Sequence, residues 1–135
     1  MQVMDAVKPQ ALPRSDDGKM AKVIIAFDVD GTLIKNVEAA RQHGMVNSDD
    51  VPIVHQINTL MVLSTYKNVR IVVWSGGGRD YAEMWGMRLG LSKYVWRYAS
   101  KLEHEQLKSM CDTLIAIDDI QSTRLGDVNL IVREK

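Results

Sequence analysis

The chain has 135 residues, enough for one compact domain with little length left for a second. Its 17 basic residues balance its 17 acidic residues, so bulk charge does not indicate a nucleic-acid-binding protein, although a local basic face stays open. The single cysteine, Cys111, excludes an internal disulfide framework and fits a reducing compartment. No apolar run approaches the roughly 18 residues of a membrane-spanning helix, and the first residues lack the apolar core of a secretory signal. We therefore expect a cytoplasmic protein without a membrane partner.

The N-terminal segment and the first predicted strand differ sharply in composition. Residues 1–21 are polar and contain two prolines and a turn-like Ser-Asp-Asp-Gly run, which predicts a flexible or loosely docked arm. The folded domain is then expected over residues 22–135. Residues 22–28 form a short, β-rich apolar run, typical of a strand buried on both faces.

Beyond this strand the chain alternates between predicted helices and strands. Residues 33–50 predict a loop or a small hairpin, and Pro52 suits the first turn of a helix that ends near Lys67. The remaining predicted elements are strands over 69–74, 94–98, 114–117 and 128–132, and helices over 79–89 and 102–110. This alternation indicates a doubly wound, Rossmann-like parallel α/β sheet of about five strands with helices on both faces.

Polar side chains follow three of the predicted strands, at the end where open parallel sheets bind ligands. Asp28 and Asp30 follow the first strand, Ser75 follows the second, and Asp118 and Asp119 follow a late one. Four carboxylates at one edge repel each other unless a cation binds there. Oxygen ligands with few nitrogen or sulfur atoms suit Mg²⁺, so the pattern points to magnesium-dependent phosphoryl transfer.

These strand ends resemble the motifs of the haloacid dehalogenase (HAD) superfamily. Residues 27–33, Phe-Asp-Val-Asp-Gly-Thr-Leu, resemble its first motif, in which Asp-x-Asp-Gly-Thr follows an apolar strand. Ser75 resembles the second motif, and the acidic pair at 118–119 resembles the fourth. The third motif is a lone lysine, for which Lys101 is a better candidate than Lys93 because it precedes a helix leading into the strand before the acidic pair.

The resemblance implies a phosphatase that hydrolyses a phosphate monoester through a covalent intermediate. Asp28 would attack phosphorus and form an aspartyl-phosphate, and Asp30 would serve as general acid and then as general base. Mg²⁺ would be bound by Asp28, by the backbone carbonyl of Asp30 and by Asp118, with Asp119 ligating directly or through water. An aspartate at position 30 favours phosphate esters, since family members acting on carbon–halogen bonds lack an acid there.

The resemblance also implies how the substrate is held. Ser75, the backbone amide near Gly76 and Lys101 would contact the transferring phosphoryl oxygens. Neither 32–67 nor 75–101 leaves room for an inserted domain of about 50 residues, so no large cap domain is expected. The open site suggests a bulky phosphorylated substrate, either a small molecule or a nucleic-acid end, or closure by another subunit of a homo-oligomer.

Two other functions stay open. Residues 75–80, Ser-Gly-Gly-Gly-Arg-Asp, and the helix with Trp85 faintly resemble polynucleotide 3′-phosphatases, although the extra glycines and the neutral net charge argue against that group. The second is a non-catalytic phosphate-binding module or a phospho-receiver. A receiver carries its acidic pair after the first strand, whereas the pair here follows a late strand, and measurable Mg²⁺-dependent turnover would separate either module from a hydrolase.

Overall fold

In a computed structural model, the chain forms a parallel five-stranded sheet with helices packed on both of its faces. The structure describes residues 21–35, 51–119 and 124–132, so the predicted arm before Ala21 and residues 36–50 lie outside the described ranges. The elements in chain order are β1 (Ala21–Asp28), α1 (Val54–Leu63), β2 (Val69–Ser75), α2 (Arg79–Arg88), β3 (Arg97–Ser100), α3 (His104–Lys108), β4 (Cys111–Asp118) and β5 (Val128–Ile131). Turns of 3₁₀ helix at Ser92–Tyr94 and Lys101–Glu103 flank β3.

The spatial order of the strands is β3-β2-β1-β4-β5, and each neighbouring pair is parallel. The chain first winds from β1 to one edge of the sheet and then crosses over to add β4 and β5 on the other side of β1. The winding direction therefore reverses between β1 and β4. In open parallel sheets, ligand sites lie outside the carboxyl ends of the strands at such a point.

The central strand β1 is buried on both faces. Its side chains alternate, so Ile25 and Phe27 join one core cluster while Ile24 and Ala26 join the other. A strand that is covered on both sides needs apolar residues at successive positions, which explains the continuous apolar run that predicted it.

Helices close the two core clusters from opposite sides. On one face, Leu60 of α1 and Ala82 and Trp85 of α2 pack over the sheet. On the other face, Leu107 of α3 packs against a cluster that includes the fully buried Trp74. The predicted doubly wound α/β architecture with helices on both faces is confirmed.

The segment before α1 differs from its prediction. The N-cap residue of α1 is Ile53 in an extended conformation, so Pro52 lies outside the helix rather than in its first turn. Pro52 instead faces Ile34 in an isolated antiparallel bridge, and the flanking hydrogen bonds are donated by Lys35 and Ile53. Proline is compatible with this bridge because its neighbours supply the N–H groups that it lacks.

The region between α2 and β4 also differs in its boundaries. The sequence predicts a strand over 94–98, whereas β3 spans Arg97–Ser100, and Tyr94 belongs to the 3₁₀ turn before it. The predicted helix over 102–110 is divided into a 3₁₀ turn and a five-residue α3. Cys111 follows this helix as the first, buried residue of β4.

The stretch from Ser75 to Lys101 leaves no place for an inserted domain. It contains only α2, a 3₁₀ turn and β3, with short connections. The other stretch considered for an insertion, 32–67, is described only at its two ends. Within the described ranges, no helix has both the length and the apolar character needed to cross a membrane.

Candidate active site

The carboxyl ends of the central strands are level with one another, and polar residues occupy them. Asp28 ends β1 opposite Trp74 of β2, and the next residue, Ser75, ends β2 opposite Ser100 of β3. Asp118 ends β4 on the other side of β1, where the winding direction reverses. The chain thus delivers a hydroxyl group and several carboxylates to one edge of the sheet.

Three of the four predicted carboxylates form a tight group at this edge. Oxygen atoms of Asp28, Asp118 and Asp119 all lie within 4.8 Å of one another. Asp28 is 5% exposed and Asp118 is 4% exposed, so both are shielded from the water that would otherwise screen their charges. The side chain of Asp30 is not part of this group, which is compatible with the expectation that its backbone carbonyl is the metal-facing atom.

The lysine at the site is Lys101. Its Nζ lies 3.0 Å from Asp28 Oδ1 and donates a hydrogen bond to Asp118 Oδ2 at 2.6 Å. Lys93, the other candidate, is exposed in the 3₁₀ turn before β3 and lies over the ring of Tyr94. The structure therefore brings Lys101 to the acidic group and leaves Lys93 outside it.

A capping box fixes the position of Lys101 at the start of its turn. The Ser100 hydroxyl accepts a hydrogen bond from the Leu102 N–H, and the Ser100 N–H donates to Glu103 Oε2 at 2.9 Å. These two bonds tie both ends of the turn together directly after β3. The sequence signal for this turn is the Ser-Lys-Leu-Glu run at 100–103, and the predicted helix over 102–110 did not include the start of that run.

Burial shapes the electrostatics of the acidic group. It raises the pKa of Asp28 to about 8, although the positive charge of Lys101 opposes the shift. The pKa of Asp119 is also raised, first by burial and then by its contacts with Asp118. Burial by itself would lower the pKa of Lys101, but the carboxylates of Asp28 and Asp118 raise it above its usual value. At Asp28, burial and the neighbouring carboxylates thus raise the pKa by more than the charge of Lys101 lowers it.

The donor set fits a hard divalent cation. The three grouped carboxylates supply oxygen ligands of the kind that Mg²⁺ prefers. The buried Oδ1 of Asp119 has no hydrogen-bond partner among the described residues, and such an orphaned oxygen is costly unless something else binds it. Asp28, Asp118 and Asp119 are therefore the residues that could hold a metal ion here.

The turn after β1 shapes this edge of the site. The Val29 carbonyl accepts hydrogen bonds from the N–H groups of Thr32, Leu33 and Ile34, which closes the chain tightly on itself. Gly31 has a φ of +82°, and a Cβ at this position would overlap the Asp119 carboxylate. Glycine is required here both for the left-handed backbone and for the close approach to an acidic side chain.

The second strand ends in a glycine loop that orients Ser75. The Ser75 side chain is buried, and its Oγ accepts a hydrogen bond from the Gly77 N–H at 2.9 Å. Because Oγ accepts this bond, the hydroxyl hydrogen can be directed at another acceptor. Gly76 is exposed at the start of the loop, where a side chain would have open space and its backbone is accessible to a ligand.

Asp30 has a partner that sequence reasoning missed. The hydroxyl of Tyr81, on the first turn of α2, donates a hydrogen bond to Asp30 Oδ1 at 2.8 Å. The two residues are 51 positions apart, and nothing in the local pattern around Tyr81 announces the contact. Only the packing of α2 against the turn after β1 brings them together.

An open cleft of about 480 Å³ runs beside the site along the edge strand β3. It is lined by Arg79, Glu83, Arg97, Tyr98, Glu103 and Gln106. The carboxylate group itself does not line this cleft, but Glu103 belongs to the same 3₁₀ turn as Lys101. Arg79 lies 3.6 Å from Glu103 and keeps most of its side chain exposed, so the cleft offers charged groups of both signs.

Comparisons with models of known protein families, with curated proteins and with solved structures give no match to this chain. The functional assignment therefore depends on the residues at the sheet edge and on their chemistry.

Proposed function

We propose that this protein is a magnesium-dependent phosphatase of the HAD type, which hydrolyses a phosphate monoester through an aspartyl-phosphate on Asp28. The observation that carries the proposal is the meeting of Asp28, Asp118 and Asp119 with Lys101 at the carboxyl edge of the sheet. Buried carboxylates in contact with a lysine that follows another strand are not expected in an ordinary acidic turn. They are expected in a site that binds both a cation and a phosphoryl group.

The grouped carboxylates and the backbone carbonyl of Asp30 would hold Mg²⁺. When bound, the ion would favour the ionised form of Asp28 and offset negative charge on the phosphoryl oxygens. Ser75, the backbone amide near Gly76 and the Lys101 ammonium group would donate hydrogen bonds to those oxygens. These donors follow the ends of two neighbouring strands, β2 and β3, so the sheet holds them in place before substrate arrives.

The reaction would proceed in two displacements. A carboxylate oxygen of Asp28 forms a bond to phosphorus as the bond to the ester oxygen breaks, and Asp30 gives that oxygen a proton. Water then attacks phosphorus in the aspartyl-phosphate while Asp30 accepts a proton from it. The bond between phosphorus and the Asp28 oxygen breaks, which releases inorganic phosphate and regenerates the carboxylate.

The test uses hydrolysis of p-nitrophenyl phosphate with Mg²⁺ and with a chelator. Wild type is expected to turn over only with Mg²⁺, and Asp28→Asn should reduce kcat by about 10³-fold or more because the nucleophile is lost. Asp112→Asn is the matched control, since this aspartate lies on β4 with an exposed side chain. Normal turnover by Asp28→Asn would overturn the proposal, and the same assay separates a hydrolase from a phospho-receiver.

The substrate and assembly state are proposed more broadly. The polar cleft along β3 suits a phosphorylated small molecule or a nucleic-acid end. Hydrolysis assays with nucleotides, sugar phosphates and 3′-phosphorylated oligonucleotides would distinguish these two substrate classes. A bulky substrate or a second copy of the chain would cover the open site, since no cap domain is inserted between Ser75 and Lys101. Sedimentation would detect a homo-oligomer, and fractionation would test the proposed cytoplasmic location.

A further inference from the structure

Tyr81 connects the two loops that the proposed reaction needs to keep in register. It lies on the first turn of α2, directly after the glycine loop that follows Ser75. Its hydroxyl reaches across to Asp30 in the turn after β1 and donates to Oδ1 at 2.8 Å. One side chain thus links the loop proposed to bind the phosphoryl group with the residue proposed to transfer the proton.

Both ends of this link are held in place. The Tyr81 ring is partly buried and packs against the core cluster that contains Ala82 and Trp85 of the same helix. The ring also lies against the glycine loop, where a Cβ at Gly77 would come within 3.6 Å of Tyr81 Cγ. At the other end, a backbone bridge to Ile34 fixes the position of Asp30.

We propose that Tyr81 is a positioning residue that holds the Asp30 carboxylate for proton transfer, an inference that rests on the proposed phosphatase function. The hydroxyl binds Oδ1 and thereby directs Oδ2 toward the ester oxygen. Asp30 is only partly buried, so without this bond its carboxylate would sample other side-chain rotamers. A misplacement of about 1 Å in a reacting group can cost on the order of 10²-fold in rate.

The leaving group provides a readout that a purely structural role would not move. An alkyl phosphate needs a proton on its departing oxygen, whereas p-nitrophenolate leaves readily without one. We expect Tyr81→Phe to lower kcat/KM for an alkyl phosphate by about 10- to 100-fold and to lower it for p-nitrophenyl phosphate by less than about 3-fold. The KM values should change little, since the hydroxyl donates to Asp30, whose proposed role is proton transfer and not the binding of the phosphoryl oxygens.

Two controls define the result. Tyr94→Phe removes a hydroxyl from another partly buried tyrosine packed on the same core cluster and should leave both rates unchanged. Tyr81→Phe added to Asp30→Asn should cause no further loss with the alkyl phosphate, because both changes remove one function. Equal losses on both substrates, or additive losses in the double variant, would contradict the positioning role.

The proposed function and this inference fail in different ways. One outcome is that wild-type turnover requires Mg²⁺ and Asp28 but Tyr81→Phe keeps the wild-type ratio of the two kcat/KM values. That outcome would overturn only the role of Tyr81. Absence of turnover by wild type on every phosphate monoester tested would overturn the phosphatase proposal and this inference with it.

Discussion

At the scale of single residues, Lys101 brings a positive charge into contact with two buried carboxylates. Its ammonium group contacts Asp28 at 3.0 Å and Asp118 at 2.6 Å, and its side chain is only 13% exposed. Removing one partner from a buried ion-pair network leaves the other charges uncompensated, and such changes are strongly destabilising. Protonation of the carboxylates relieves part of this cost, because the pKa of Asp28 is already raised by burial.

We therefore expect Lys101→Met to lower the free energy of unfolding by about 2–3 kcal/mol near pH 7 and to reduce kcat by at least about 10²-fold. Lys93→Met is the matched control, since this exposed lysine lies outside the acidic group and its loss should change stability by less than about 0.5 kcal/mol. Urea unfolding and p-nitrophenyl phosphate hydrolysis measure the two effects. Equal behaviour of the two variants would remove Lys101 from its assigned role.

Residues differ in how well local sequence reveals them. Asp28, Ser75 and Asp118 could be placed because each ends a short apolar run, and the carboxyl ends of parallel strands share one edge. The sequence favoured Lys101 over Lys93 as the lysine of the site but could not decide between them, since a lone lysine has no sequence pattern of its own. Tyr81 could not be found, because its contact with Asp30 depends on how α2 packs against a turn 51 residues earlier.

At the scale of elements, the turn after β1 approaches the acidic group closely at Gly31. Gly31 combines a φ of +82° with a close approach to the Asp119 carboxylate, whereas Gly90, at a φ of +72°, has open space where a Cβ would point. Both positions lie in the left-handed region that side chains rarely adopt, so alanine at either costs about 1 kcal/mol or more of strain. The two positions differ in that only an alanine at 31 would also collide with the Asp119 carboxylate.

This pair of glycines gives a prediction for the turn. Gly31→Ala should displace the Asp119 carboxylate and weaken Mg²⁺ binding by about tenfold or more, beyond the strain that it shares with Gly90→Ala. Gly90→Ala should lower stability without changing the affinity for Mg²⁺. Calorimetric titration with Mg²⁺ and urea unfolding measure the two quantities. An unchanged affinity in Gly31→Ala would argue against Asp119 as a ligand.

The strongly apolar strands could be predicted from the sequence, whereas the bounds of the edge strand and of the first helix could not. The apolar runs of β1, β2 and β4 gave their positions because burial on two faces demands apolar residues. The position of the edge strand β3 was wrong, since a short edge strand carries a weaker pattern and its first predicted residue, Tyr94, ends a 3₁₀ turn. Pro52 was assigned to a helix start, although its real partner is Ile34, a contact that local propensity cannot show.

At the scale of the whole molecule, balanced charges conceal a local excess of acid. The chain is formally neutral, yet three carboxylates gather at the carboxyl edge of the sheet, and Lys101 contacts two of them, Asp28 and Asp118. Because burial raises the pKa of Asp28 to about 8 and also raises that of Asp119, the metal-free folded protein retains protons that the unfolded chain releases. The whole fold is therefore linked to pH and to cation binding through this one edge.

The sign of the linkage follows from the direction of the shifts. A carboxyl group with a raised pKa in the folded state binds more protons there than in the unfolded chain, so stability falls as pH rises from about 4 to 8. Lys101 adds no slope in this window, because its pKa is raised from 10.5 and the group stays charged in both states. We expect metal-free protein to lose stability between pH 5 and about pH 8, with a shallower loss in Asp28→Asn.

Mg²⁺ should act against this loss, because it binds the ionised carboxylates and not the protonated ones. Its apparent affinity is expected to rise with pH by up to about tenfold per unit below pH 8, with proton release on binding, and to level off above it. Saturating Mg²⁺ would then flatten the stability profile, since a ligand that binds only the folded state stabilises it most where its affinity is highest. Urea unfolding and calorimetry across pH 5–9 test both effects, with Asp112→Asn as the control for a surface carboxylate. An affinity for Mg²⁺ that does not change with pH would mean that the buried carboxylates are not the ligands, and the cation would then have to bind elsewhere on the chain.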